Sequence, residues 1–153
     1  MFRNTTTVTR PDRDRLLDLT GARATALGWA LFADELRREI DRARVVDQTR
    51  VSHDVVTMHS TVRTRDLATG VVEVHTLVYP EEADLRSGKL SILAPFGTAL
   101  LGTRAGDIVR VATGDGVRAL KVDAVLYQPE TAGRRGQLLA SGEEAARGTA
   151  GDS

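Results

Sequence analysis

The chain contains no cysteine among its 153 residues, which excludes a disulfide framework and any thiolate metal site and gives no sign of an oxidising compartment. It also has no net charge, with 21 basic against 21 acidic side chains. The charges divide as 10 basic and 8 acidic in residues 1–50, 8 and 10 in 51–130, and 3 and 3 in 131–153, so no segment is a basic patch by composition. A generic polyanion binder is therefore not expected. No window approaches the roughly 20 apolar residues of a membrane span. The opening Met1-Phe2-Arg3-Asn4-Thr5-Thr6-Thr7 lacks the apolar core of a secretory leader. The expected location is the cytoplasm, with no membrane among the partners.

What is present is globular: 41% hydrophobic and 27% charged residues, enough for one core with an appendage. Residues 9–46 read as two helices forming a short antiparallel hairpin. Thr9 is a suitable N-cap, with Pro11 and Asp12 in a first turn whose amides are unpaired and whose dipole end is positive. Leu16, Leu17 and Leu19 supply the apolar face of the first helix, and the chain turns near Leu27-Gly28. In the second helix Trp29, Phe32 or Ala33, Leu36, Ile40 and Ala43 are spaced three and four apart on one stripe. The other face carries Asp34, Glu35, Arg37, Arg38, Glu39, Asp41, Arg42 and Arg44, with Asp34 and Arg38 at a favourable i,i+4 spacing, and reads as solvated.

From about residue 52 the period changes from 3.6 to 2. Val56, Met58, Ser60 and Val62 alternate with Val55, Thr57, His59, Thr61 and Arg63, residues 66–70 make a turn, and Val72, Val74, Thr76 and Val78 alternate again, which predicts a β-hairpin with His75 opposite Val62. A short strand at Leu90-Ser91-Ile92-Leu93 follows, then a small helix opened by Pro95 and closed by Gly102. Two further strands, about 107–112 and 117–127, flank the turn Gly114-Asp115-Gly116. The predicted class is α+β, four or five strands around one helix over 52–130. Residues 131–153, rich in Gly and Ala, read as a disordered tail.

No active site assembles from the pattern. His53, His59 and His75 lack the spacing of a helical zinc site, and no serine stands in a nucleophile motif. Gly114-Asp115-Gly116 lacks the Lys-Ser/Thr of a phosphate loop. Asp12 and Asp14 could form a carboxylate pair, but their position in the first helical turn already explains their charge. Neither a catalytic residue, a metal nor a cofactor is expected.

Several motifs in order carry a resemblance: His53-Asp54-Val55-Val56-Thr57-Met58-His59-Ser60, Thr76-Leu77-Val78-Tyr79-Pro80, the run from Ser91 to Gly102, Gly106-Asp107, and Tyr127-Gln128-Pro129-Glu130. They resemble the Gre transcript-cleavage factors, and within them the regulators of nucleoside diphosphate kinase. The resemblance implies an FKBP-like C-terminal domain of antiparallel strands with one small helix over 52–130, a short N-terminal antiparallel coiled coil over 9–46, and docking at the rim of the RNA polymerase secondary channel. It places the polymerase contact at Leu93, Ala94 and Pro95, where Pro95 can equally serve as a first-turn helix residue. In Gre factors, carboxylates at the coiled-coil tip help hold a catalytic metal ion. Here the tip, with Arg23 and Thr25, contains no Asp or Glu from Gly21 to Gly28. The expectation is a monomeric, non-cleaving polymerase binder that meets nucleic acid only inside that complex. The alternative is an FKBP-like prolyl isomerase or peptide-binding module, for which Tyr79, Phe96 and Tyr127 are the aromatics at hand within 51–130.

Overall fold

The computed structural model describes residues 6–26, 28–114 and 116–133, without the side chains of Ala22 and Arg23. Strand β1 (Thr7–Thr9) leads into helix α1 (Arg10–Leu19), followed by the short α2 (Ala22–Ala26), α3 (Ala30–Arg42) and strand β2 (Arg44–Val46). Thr9 caps α1 as expected, its hydroxyl oxygen accepting from the Asp12 amide at 3.3 Å. The hairpin contains three helices rather than two. The second long helix ends at Arg42 because residues 44–46 pair in parallel with β1, Thr7 facing Arg44 and Thr9 facing Val46.

A five-stranded sheet follows, built from β3 (Thr61–Asp66), β4 (Val72–Val78), β5 (Lys89–Ser91), β6 (Ile108–Thr113) and β7 (Gly116–Tyr127), in the order β5-β4-β3-β7-β6. It is mixed rather than antiparallel throughout, since β4 and β5 run parallel. His75 faces Val62 across the hairpin, as the alternation predicts. The hairpin turn is closed by Asp66, whose carboxylate accepts from the amides of Ala68 and Thr69. Those amides, Ala68 first, and the Arg118 guanidinium hold the Asp66 carboxyl below its ordinary pKa. Helix α4 (Pro95–Leu100) lies against β6. Residues 129–133 form a helical turn, and the remainder of the expected tail falls outside the described residues.

The expected strand before Thr61 is absent. Val55, Val56, Thr57 and Met58 are all buried in succession, which a half-exposed strand cannot do, and His59 turns the chain with φ 68°. One continuous core joins the two parts of the molecule: Leu16, Leu36 and Ile40 from the helices pack in the same cluster as Val56, Leu77, Ile92 and Leu100. On α3 the stripe resolves to Ala33, with Phe32 exposed. Glu39, expected on the solvated face, is buried, where it accepts from the Thr6 hydroxyl at 3.2 Å and pairs with Arg42. Arg38 bonds Glu35 at 2.8 Å, three residues away, in place of the expected partner Asp34. No described helix is long and apolar enough to cross a membrane.

Candidate functional site

Leu93, Ala94 and Pro95 form the corner between β5 and α4, and the fold holds that corner rigidly. The Leu93 amide donates to Ser91 Oγ at 3.0 Å and the Ala94 amide to the Ser91 carbonyl at 3.1 Å. Thr98, buried in α4, donates its hydroxyl to the Ile92 carbonyl at 2.7 Å and its amide to Ala94 at 2.9 Å. Extended backbone at Ala94 (φ −68°, ψ 145°) suits a residue before proline, and Pro95 occupies the first turn, where a missing N–H costs nothing. Leu93 is buried, Ala94 half-buried and Pro95 exposed. The first anchors the corner and the last faces solvent, so the helix-starting role of Pro95 and availability for contact coexist.

A second constellation sits where α1 meets the sheet. Asp12 accepts from the Met58 amide at 3.1 Å, tying the helix to the segment that enters β3. Burial, opposed by that hydrogen bond and reinforced by the charge of Glu130, pushes its pKa from the ordinary 3.8 up to about 6. Beside it, Arg15 lies 4.2 Å over the Tyr79 ring, and His59 Nε2 meets Glu82 at 2.9 Å. Burial next to Asp12 raises the Tyr79 hydroxyl pKa, while the bond to His59 lowers that of Glu82. Asp14 lies exposed beside Arg13, so Asp12 and Asp14 do not act as a pair.

Between about pH 3.8 and 6 the folded chain holds a proton on Asp12 that the unfolded chain has released. This contribution to stability is full below about 3.8 and is lost as pH rises through 6. Asp12→Asn is therefore expected to be more stable than wild type by about 1–3 kcal/mol at pH 7.5, with the gap closing toward pH 4. Paired urea unfolding curves at the two pH values measure that difference and cancel the opposite trend from Asp66 and Glu82; a gap independent of pH would refute it.

The histidines do not converge. His59 is engaged with Glu82, and His75 packs edge-on to Phe96 with ring centroids 5.5 Å apart. Among the described residues no group of three His, Cys, Asp or Glu is placed to hold a metal. The aromatics of the isomerase alternative are dispersed: Tyr79 lies under Arg15, Phe96 beside His75, and Tyr127 at the half-exposed end of β7. At the far end of the helices Thr25 is exposed on α2, while the Arg23 side chain falls outside the described residues. Sequence reasoning missed Asp12 as a joint because its partner lies 46 residues away, beyond any local pattern.

The fold agrees with what known proteins show. The model of the family described as "Transcription elongation factor, GreA/GreB, C-term" matches residues 51–127, and the chain belongs to that family. Over 103 residues it is 46% identical to the regulator of nucleoside diphosphate kinase of Escherichia coli (strain K12), covering 67% of this chain and 76% of that protein. The transcription elongation factor GreA of Chelativorans sp. (strain BNC1) is 38% identical over 93 residues, 61% of this chain and 59% of the relative. A solved structure, the prokaryotic transcription elongation factor GreA/GreB from Nitrosomonas europaea, superimposes with a TM-score of 0.65 at 34% identity, covering 82% of this chain and all of the other. Its likeness supports the α+β arrangement of helices and curled mixed sheet.

Proposed function

We propose that this protein is a cytoplasmic regulator of transcription elongation that binds RNA polymerase at the secondary-channel rim through Leu93, Ala94 and Pro95 and does not promote transcript cleavage. The observation that carries the binding half is the corner itself, exposed at Pro95 and fixed from behind by Ser91 and Thr98. In this reading residues 52–130 are the FKBP-like C-terminal domain and residues 9–46 a shortened counterpart of the Gre coiled coil. The absence of cleavage rests on the tip, where no Asp or Glu occurs between Gly21 and Gly28 to complete a metal site. Helix α3, with 13 residues, also spans only about 20 Å. Arg23 and Thr25 take the place at the tip that ligating carboxylates hold in cleavage factors.

The test is titration into core RNA polymerase and into backtracked complexes carrying end-labelled RNA. Binding without RNA shortening is expected, and Pro95→Ala should weaken it about tenfold, the cost of losing one central contact. Absence of binding at micromolar concentration would sink the polymerase reading. Shortened RNA would show that carboxylates elsewhere reach the metal.

A further inference from the structure

The solvent side of the sheet is charged in a way the neutral composition conceals. Strand register and alternation place Arg63 and Arg65 of β3, Lys89 of β5, Arg110 of β6 and Lys121 of β7 on this side, opposite the buried Val62, Thr64, Leu120 and Val122. Among the described residues two carboxylates border these five cations: Asp123, which pairs with Arg65 at 2.9 Å and Arg63 at 3.9 Å, and Asp84, which bridges Lys89 through the backbone while its carboxylate accepts from the Arg86 amide and the Ser87 hydroxyl. Among the described residues, Lys89, Arg110 and Lys121 have no acidic partner. Arg65 and Lys121 face each other directly across two strands. Like charges in that position oppose sheet pairing, and Arg65 is offset by Asp123 whereas Lys121 is not. Four other carboxylates, Asp14, Asp18, Glu81 and Glu82, border, with Arg15, the cavity between α1 and the turn after β4. Among the described residues this side of the sheet is thus predominantly cationic, although the net charge of the chain is zero.

The same side carries aliphatic side chains: Val72, Val74, Ile108 and Val117 are between 38% and 67% exposed. β-propensity explains branched residues on strands one at a time. It does not explain why they alternate with cations on one face. Sheets that bind single-stranded RNA rely on stacked aromatics, and among the described residues this face offers Tyr127 alone. Aliphatic side chains between unpaired cations match instead a protein surface with carboxylates around apolar side chains.

We infer that the solvent side of the sheet is a second docking surface, fitted to an acidic, aliphatic-bearing protein surface of the same RNA polymerase that the corner at residues 93–95 engages. The inference rests on the polymerase reading and extends it from one contact to two. Two contacts on one rigid body multiply affinity, because the second forms at high effective concentration. The cations also make association fall with ionic strength.

The experiment compares full-length wild type, Pro95→Ala, and the double variants Arg110→Glu/Lys121→Glu and Arg110→Gln/Lys121→Gln. Binding is measured to core RNA polymerase and to a labelled 20-nucleotide RNA, at 0.05 and 0.3 M salt, with melting curves to confirm folding. The double Glu variant is expected to bind polymerase at least tenfold more weakly at low salt, with the Gln variant intermediate and both less salt-sensitive than wild type. Unchanged affinity and salt dependence in both variants, with Pro95→Ala weakened, would overturn this inference and leave the corner standing. Wild type failing to bind polymerase would overturn both. Salt-sensitive RNA binding by the free protein, lost in the Glu variant without any change toward polymerase, would make nucleic acid the occupant and refute the assignment.

Discussion

Replacing Gly97 with alanine is expected to destabilise the protein by about 3 kcal/mol or more, lowering its melting temperature by roughly 6–12 °C, and to weaken polymerase binding more than Pro95→Ala does. A Cβ at this position would stand 2.1 Å from the Ser91 carbonyl oxygen, 3.0 Å from its carbon and 3.2 Å from Ile92 Cα. All three are main-chain atoms, so no side-chain rotation relieves the overlap, and α4 must move away from the strand that feeds it. The movement would strain the bonds that form the corner, Thr98 Oγ1 to the Ile92 carbonyl and the Ala94 amide to Ser91. Gly114→Ala is the control: nothing lies within 4 Å of its Cβ, and its effect should stay within about 0.5 kcal/mol. Thermal melts of the two variants decide the matter, and a Gly97→Ala protein as stable as the control would mean that the corner is looser than its hydrogen bonds indicate.

Leu36→Ala should cost about 2–5 kcal/mol and should do so for the whole chain in one transition. Leu36 is fully buried on α3, in one cluster with Val56, Leu77 and Leu100. Truncation removes contacts on both sides of the junction between helices and sheet, and the backbone pairing of β1 with β2 keeps the site from collapsing freely. Trp29, the single tryptophan, stands at the start of α3 and reports on the helices by fluorescence. Far-ultraviolet circular dichroism reports on the chain as a whole. The two signals should move together to a lower midpoint in the variant. A tryptophan transition that shifts while the rest of the signal stays in place would show that the helices melt independently of the sheet.

Much of the architecture was legible because its signals are local. The Thr9 cap with Pro11 and Asp12, the alternation from Val72 to Val78, the turn after Asp66 and the proline-opened α4 each depend on neighbours within a few residues. The features that escaped depend on distant partners. Strands β1 and β2 have three residues each and exist only because Thr7 meets Arg44, far along the chain. The alternation at Val56 and Met58 resembled a strand, yet the segment is buried on every side and bends at His59, whose amide reaches the Leu77 carbonyl at 2.6 Å. Glu39 carried the signature of a solvated helix face until Thr6 closed over it. For the candidate site, the corner at 93–95 could be placed from its motif, whereas its stiffness, and the gathering of cations from four strands on one side, required the register of the whole sheet.

The parallel pairing of β1 with β2 also bears on how such a molecule can change over evolutionary time. It holds the outgoing and returning chain within one strand spacing, about 4.8 Å. The base of the helices, at Leu16, Leu19, Leu36 and Ile40, is committed to the core and Trp29 packs against it, while the segment around α2, tethered between α1 and α3, exposes Thr25 and Ala26. Doubling a tethered segment of this kind costs only about 0.6 kcal/mol in closure entropy. Reach can thus be lengthened or shortened there at little cost, without disturbing the pairing of β1 with β2 or the sheet.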